Sequence, residues 1–183
     1  MGKYRSEWRV LPAGAAIAAF VTIVGIAGAG RCENVVSVPT RDRAMMAAYA
    51  KAAAGFEDFL AAWRNPPSEA TDFAVKVGLT DSNEEPGFAV IRPGSRHRGN
   101  IEYVWLENLK ENGDGFTGQP VSIEHLENIR LNDTVHFTKA DIADWMYYLD
   151  GKVVGNATAC AALKHGSWST RRAVKKMGID CNK

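Results

Sequence analysis

The chain has 183 residues, 46% of them hydrophobic and 23% charged, with a formal net charge of +1. Those figures fit one globular domain plus a short targeting segment and leave too little chain for two full domains. Near-neutrality argues against a nucleic-acid partner, because a dedicated binder needs a concentrated basic face.

Lys3, Arg5 and Arg9 precede an uncharged run from Val10 to Gly30, and Ala27-Gly28-Ala29 has the small-residue spacing of a signal-peptidase site. The expectation is a signal peptide over residues 1–29, cleaved to leave Gly30 first. The alternative is an uncleaved inner-membrane anchor, since about twenty apolar residues span a bilayer as a helix. Both place the domain in the periplasm or otherwise outside the cytoplasm. Losing residues 1–29 removes Lys3, Arg5, Arg9 and Glu7 and leaves 19 basic and 20 acidic residues, a net charge of −1. Residues 30–39 then read as a linker, 40–164 as an α+β domain and 165–183 as a C-terminal helical clasp.

Met45, Tyr49, Ala52, Phe56, Phe59 or Leu60, and Trp63 recur at spacings of three and four, which predicts one long helix that Pro39-Thr40 starts and Asn65-Pro66-Pro67 ends. Phe73, Val75, Val77 and Leu79 alternate with Ala74, Lys76 and Gly78 as in a strand, and Ile101 to Glu107 is apolar on both faces and so reads as central. Lys110 to Gly115 reads as a polar turn, and Ser122 to Ile129 as a short helix or turn. Val135 and Phe137 alternate with polar neighbours in a further strand, after which Thr138 and Asp141 have the spacing of an N-cap pair, so that Ala140 to Asp144 reads as one helical turn. Trp145 to Leu149 and Lys152 to Val154 flank Asp150-Gly151, whose residues supply the positive φ angles of a two-residue hairpin. Ala157 to Lys164 and Ser169 to Met177 predict two short helices, the second ending at Gly178 with Ile179 placed for a Schellman contact.

The pattern DTVHFTKADIADWMYYLDGKVVGNAT, together with EYVWLEN at Glu102 to Asn108 and DGFTGQP at Asp114 to Pro120, resembles the bacterial family called domain of unknown function 2314 (YegJ-like). The similarity covers roughly Met45 to Leu163. Gly118-Gln119-Pro120 departs from the Asn-x-Pro that such domains tend to carry. The resemblance implies a fold and no established activity. The expected architecture is α+β, with one long N-terminal helix packed on a strongly curved antiparallel sheet or small barrel and short C-terminal helices.

Three cysteines cannot all pair, and Cys160 and Cys181 bracket the two C-terminal helices, so a bridge between them is expected in an oxidising compartment, leaving Cys32 over. His97, His125, His136 and His165 are too far apart in sequence to build a metal site on one element, and no phosphate loop or G-x-S-x-G elbow occurs. No metal, cofactor or catalytic residue is therefore expected. Two surfaces are singled out for binding. Asp144 with the aromatics Trp145 and Trp105 is one, and the basic loop Arg92 to Asn100 with Arg96 and Arg98 is the other, suited to an anionic ligand or an envelope protein. The functional expectation is an exported, non-enzymatic binding or interaction module of the cell envelope, with possible membrane association through its N-terminal segment. The alternatives are an immunity-type protein that neutralises an envelope-acting toxin, and a hydrolase using the carboxylates Glu102, Glu107, Asp141 and Asp144.

Overall fold

A computed structural model of the chain describes residues 18–23, 34–39, 41–179 and 181. In chain order the elements are β1 (Ala18–Ile23), β2 (Asn34–Pro39), α1 (Arg43–Ala54), α2 (Phe56–Arg64), β3 (Ala70–Asp81), β4 (Phe88–Ile91), β5 (Ile101–Asn112), β6 (Gly115–Pro120), β7 (Val135–Phe137), β8 (Ile142–Leu149), β9 (Lys152–Gly155), α3 (Ala157–Ala162) and α4 (Trp168–Lys176). The nine strands form one sheet along the path β2-β1-β5-β3-β8-β9, with β4 added to β3 and β6 and β7 extending from β5. All pairings are antiparallel except β1 with β5.

The architecture is α+β, but two parts of the sequence expectation are overturned. The sheet does not close into a barrel, because β2 and β9 end the path without meeting. Nor is there one long N-terminal helix. Gly55 divides the predicted helix into α1 and α2, and the reason is a close approach: a Cβ at that position would stand 2.8 Å from Cζ2 of Trp145. The indole N–H of Trp145 donates to the carbonyl of Ala52 at 2.8 Å, so the sheet's tryptophan is bound to the last turn of α1.

The division lets the helical segment serve both faces of the sheet. Successive strand residues point to opposite faces, so Lys76, Tyr103 and Trp105 lie on one face of β3 and β5, and Val75, Val77, Val104 and Leu106 on the other. Met45, Ala48 and Tyr49 of α1 join Ile101, Tyr103, the alanines of α3 and Val174 of α4 in one core cluster. Phe56, Phe59 and Leu60 of α2 join Val75, Val77, Leu79, Val104 and Leu106 in another, completed by Phe116 and Phe137 from β6 and β7. Burying a side chain of this size contributes roughly 1.5 to 3 kcal/mol, so each half of the segment is anchored by its own face.

Several local readings are replaced. β5 continues to Asn112, and the turn that follows is the two residues Gly113 and Asp114. Residues 121–134 carry no helix. The turn after β7 is a short 3-10 segment at Lys139–Asp141, with Asp141 Oδ2 accepting from the backbone and hydroxyl of Thr138 at 2.9 and 2.7 Å, and β8 starts at Ile142 rather than Trp145. The hairpin holds as expected: Leu149 pairs with Lys152, and Asp150 and Gly151 have φ of 51° and 70°.

β1 falls within the apolar run that the sequence reading assigns to a signal peptide or anchor, and it occupies the sheet between β2 and β5 as a strand. The cleavage motif Ala27-Gly28-Ala29, the basic residues Lys3, Arg5 and Arg9, and Cys32 lie outside the described residues. No helix among the described residues is long and apolar enough to cross a membrane.

Candidate functional site

The centre of the helix-covered face is polar. Lys76 of β3 stands in register with Trp105 on one side and Asp144 on the other, and all three are buried, Lys76 at 0% and Asp144 at 1% exposure. The Lys76 ammonium lies 4.4 Å above the Trp105 ring centroid and donates to the Thr158 hydroxyl at 3.0 Å. That hydroxyl in turn donates to Asp144 Oδ2 at 2.6 Å. A cation, a hydroxyl and a carboxylate thus form one hydrogen-bonded chain beneath an aromatic lid.

Asp144 also organises the backbone. Its Oδ1 accepts from the amides of Trp145 at 2.9 Å and Ala157 at 3.2 Å, and its Oδ2 from the amide of Thr158 at 2.7 Å. Ala157 and Thr158 open α3, whose N-cap residue Asn156 is left-handed (φ 56°) and makes no side-chain cap. A helix leaves its first amides without intrahelical partners, and here a carboxylate from the neighbouring strand takes them, where negative charge also complements the helix dipole. Gly155, at φ 88°, makes the corner that brings α3 under β8; a Cβ there would overlap the carbonyl oxygen of Trp145.

Burial dominates the titration of both charged groups. It pushes Lys76 down to about 8 against the attraction of Asp144, and pushes Asp144 up against the Lys76 charge and the Thr158 donors. Tyr49 and Tyr103, whose rings lie 5.7 Å apart, are both pushed up, chiefly by burial. An assembly with no solvent access and with every carboxylate lone pair engaged holds the fold together and offers no surface to a substrate.

The binding surface expected around Asp144, Trp145 and Trp105 does not form, because the covered face takes Asp144 and Trp105 inside. Trp145 is half-buried on the opposite face, against Phe59 at 5.5 Å and Tyr147 at 6.5 Å. Arg96 and Arg98 are exposed on the loop between β4 and β5 and stand apart from that group. The carboxylates proposed for hydrolysis do not converge either. Glu102 accepts from the amides of Glu124 and His125 at 2.8 and 2.9 Å and thereby pins residues 121–134 to the sheet, Asp141 caps the 3-10 segment, and Asp144 holds α3. Glu107 is half-buried, and burial followed by the charge of Asp72 raises it.

Sequence reading missed Lys76 and Thr158. Lys76 looked like the polar face of a half-exposed strand, yet the sheet is covered on both faces. The available signal was a lysine set directly between Val75 and Val77 in an otherwise apolar run, and nothing in its neighbourhood named Thr158, eighty-two residues on. The reading also missed the surface of α4, where Trp168 is 71% exposed and Arg171, Arg172, Lys175 and Lys176 are all exposed. Cys160 and Cys181 form a disulfide with Cα atoms 5.3 Å apart, as the spacing led one to expect.

The fold and its interior define an α+β domain with an open, mostly antiparallel sheet and a buried Lys–Thr–Asp chain at its helix-covered face. The chain belongs to the family described as an uncharacterized protein conserved in bacteria, domain of unknown function 2314, whose model matches residues 42–181. Comparison with curated proteins and with solved structures gives no match.

Proposed function

We propose that the protein is an exported, non-enzymatic binding module of the bacterial cell envelope. The observation that carries this reading is the Cys160–Cys181 disulfide, which staples the C-terminal clasp. Structural disulfides persist in oxidising compartments and are rare in the cytosol of mesophiles. The basic residues and apolar run at the N-terminus are the matching address; in either form of export β1 leaves the sheet, and of the path β2-β1-β5-β3-β8-β9 the part β5-β3-β8-β9 remains paired. The non-enzymatic part is supported by the work that the carboxylates already do: Glu102, Asp141 and Asp144 each accept from backbone amides, a use that fixes loops and a helix end.

Fractionation of cells producing the full chain tests the location, read together with mass spectrometry of unreduced peptides. The protein belongs in the envelope fraction with Gly30 as its first residue, or with an intact Met1 if the run is retained as an anchor, and with Cys160 joined to Cys181. A cytosolic pool with both thiols free overturns the proposal. Cross-linking in the intact envelope followed by purification of the full chain identifies what it binds, and Arg96 and Arg98 are the first exposed positions to substitute against any partner so found.

A further inference from the structure

The C-terminal helix has a face that the fold does not use. In α4, Thr170 and Val174 are buried and Met177 just beyond it packs on the same core cluster. Trp168, Arg171, Arg172 and Lys175 fall at spacings of three, four and seven, which on a helix is one stripe, and all four are exposed. Lys176 borders the stripe. The helix has no acidic residue, in a chain whose acids and bases otherwise nearly balance. No ion pair among the described residues engages these cations. The Arg172 guanidinium instead lies 5.4 Å over the Trp168 ring, and Trp168 is the most exposed large hydrophobic side chain described.

The stripe is held at a fixed attitude. Ser167 caps the start of α4, the Cys160–Cys181 bridge joins its far side to α3, and His165, just before it, meets Asp42 at the start of α1 at 3.1 Å. An open cleft of about 470 Å³ beside the helix has Arg171 and Lys175 among its lining residues together with the apolar Leu163 and Ile179. Val38 of β2 shares the core cluster of Val174, so α4 packs at the side of the domain where the chain arrives from its apolar N-terminal run.

We propose that the outer face of α4 docks on the anionic phospholipid surface of the bilayer, with Arg171, Arg172, Lys175 and Lys176 against lipid phosphates and Trp168 at the headgroup level. Basic residues near an anionic leaflet attract it individually, and tryptophan favours the membrane–water interface because its ring is apolar while its N–H still finds a polar partner. The bilayer takes up both features at once, the cations at the lipid phosphates and the indole at the headgroup level; a nucleic acid or an acidic protein as the partner would show instead as flotation indifferent to phosphatidylglycerol. The proposal rests on the envelope reading for where such a surface is met, and it deepens that reading by naming the partner.

The test is flotation of the full chain with vesicles of phosphatidylcholine alone and of phosphatidylcholine with roughly one-third phosphatidylglycerol, the anionic component supplying the surface potential. The apolar N-terminal run contributes equally to both vesicle types, and Lys3, Arg5 and Arg9 before it are replaced by glutamine in every protein compared, so that the quantity read is the gain on adding phosphatidylglycerol. Each of Arg171→Gln, Arg172→Gln, Lys175→Gln and Lys176→Gln is expected to reduce that gain about five-fold, the ratio corresponding to about 1 kcal/mol per basic residue. About 1 M salt, where the Debye length is about 3 Å, should abolish it. In a Trp8→Phe background, which removes the tryptophan beside the apolar run, brominated lipid should quench fluorescence and lose that quenching on Trp168→Phe, with circular dichroism as the folding control. A chain with α4 unaltered that is indifferent to phosphatidylglycerol overturns the proposal, as does an undiminished gain in a folded variant with all four α4 cations replaced by glutamine. Vesicle binding is measured outside the cell, so a cytosolic location would sink the envelope reading while leaving this result standing, and the converse holds equally.

Discussion

Asp144→Asn asks whether the buried chain of Lys76, Thr158 and Asp144 holds the sheet to the C-terminal clasp. The substitution keeps the shape but replaces one acceptor oxygen with an N–H₂ group. In the orientation that keeps Oδ1 accepting from Trp145 and Ala157, the new donor faces the amide and hydroxyl of Thr158, which stand 2.7 and 2.6 Å from that position. The Thr158 amide then confronts another donor, its hydroxyl loses its acceptor, and the Lys76 ammonium loses the one opposing charge that sustains it in a site with no solvent access. Removing one member of a buried pair costs about 3 to 5 kcal/mol, because a charge is left buried without compensation. The expected result in urea denaturation is a fall of that size in unfolding free energy at pH 6. The deficit should narrow toward pH 9, since Lys76 without Asp144 titrates lower still than about 8 and can shed its proton. Adding Lys76→Met should recover part of the loss, because the charge that was stranded is gone. A single variant that loses less than about 1 kcal/mol, within the range of an ordinary surface change, would mean that Asp144 is hydrated in solution and that the buried chain does not form.

Wild-type stability should rise between pH 8 and 9.5. The unfolded chain keeps Lys76 protonated up to the ordinary lysine value of 10.5 while the folded chain releases the proton near 8, so the unfolded state binds more protons and the slope is positive. The rise should be about 2 kcal/mol and absent in Lys76→Met, with both proteins carrying Cys32→Ser against thiol exchange; an equal slope in the two would refute the assignment. Above pH 10 the raised Tyr49 and Tyr103 act in the opposite sense, because the unfolded chain releases their protons first. Cys181→Ser should lower the unfolding free energy by about 3 kcal/mol, given the separation of 21 residues between the bridged cysteines, and a change under about 1 kcal/mol would show that the bridge adds little to the clasp. Glu102→Gln should cost about 1 kcal/mol by leaving one of two part-buried amides unmet and should speed hydrogen exchange at residues 124 and 125; unchanged protection there would remove Glu102 as the anchor of that loop.

What was readable from the sequence was local in origin. Asp150-Gly151 specifies its hairpin through the backbone angles those two residues accept, the spacing of Thr138 and Asp141 specifies its cap, and the two cysteines bracket the pair of helices that their bridge ties down. The long helix failed for a physical reason: the stripe from Met45 to Trp63 keeps its spacing of three and four across Gly55, so periodicity cannot register that the first half packs on one face of the sheet and the second half on the other. Only the approach of Trp145, ninety-three residues from its acceptor Ala52, reveals the break.

The candidate sites divide in the same way. Arg96 and Arg98 are exposed as a loop flanked by glycines predicts, whereas Asp144 was assigned to the surface because a carboxylate beside a tryptophan carries no mark of the amides that will surround it. Strand alternation places Lys76 on a polar face, and in a sheet covered on one side that is where a lysine belongs. The cover here comes from α1, α3 and α4, which are distant in sequence from β3, and burial of that kind is decided by tertiary packing alone. The exposure of α4 lay within reach of composition, since nine residues with four bases and no acid cannot all turn inward.

The contact at Gly55 has an evolutionary side. Trp145 presses on a residue without a side chain at position 55 and on a second at position 155, where an added Cβ would meet both its ring and its carbonyl oxygen. Positions 55 and 145, drawn from the helical segment and the central sheet, are therefore one unit of inheritance, while glycine at 155 is required besides by its φ of 88° and by the backbone oxygen of residue 145. A lineage that acquires alanine at 55 has to shrink the residue at 145 first, and one that shrinks 145 loses both the bond to Ala52 and the reason for the break, so that the two helices are free to fuse. Relatives should accordingly fall into two groups, those that retain tryptophan at 145 with glycine at 55 and those that have lost both, while glycine at 155 is kept in either, because its φ of 88° and the carbonyl oxygen of residue 145 do not depend on the side chain there.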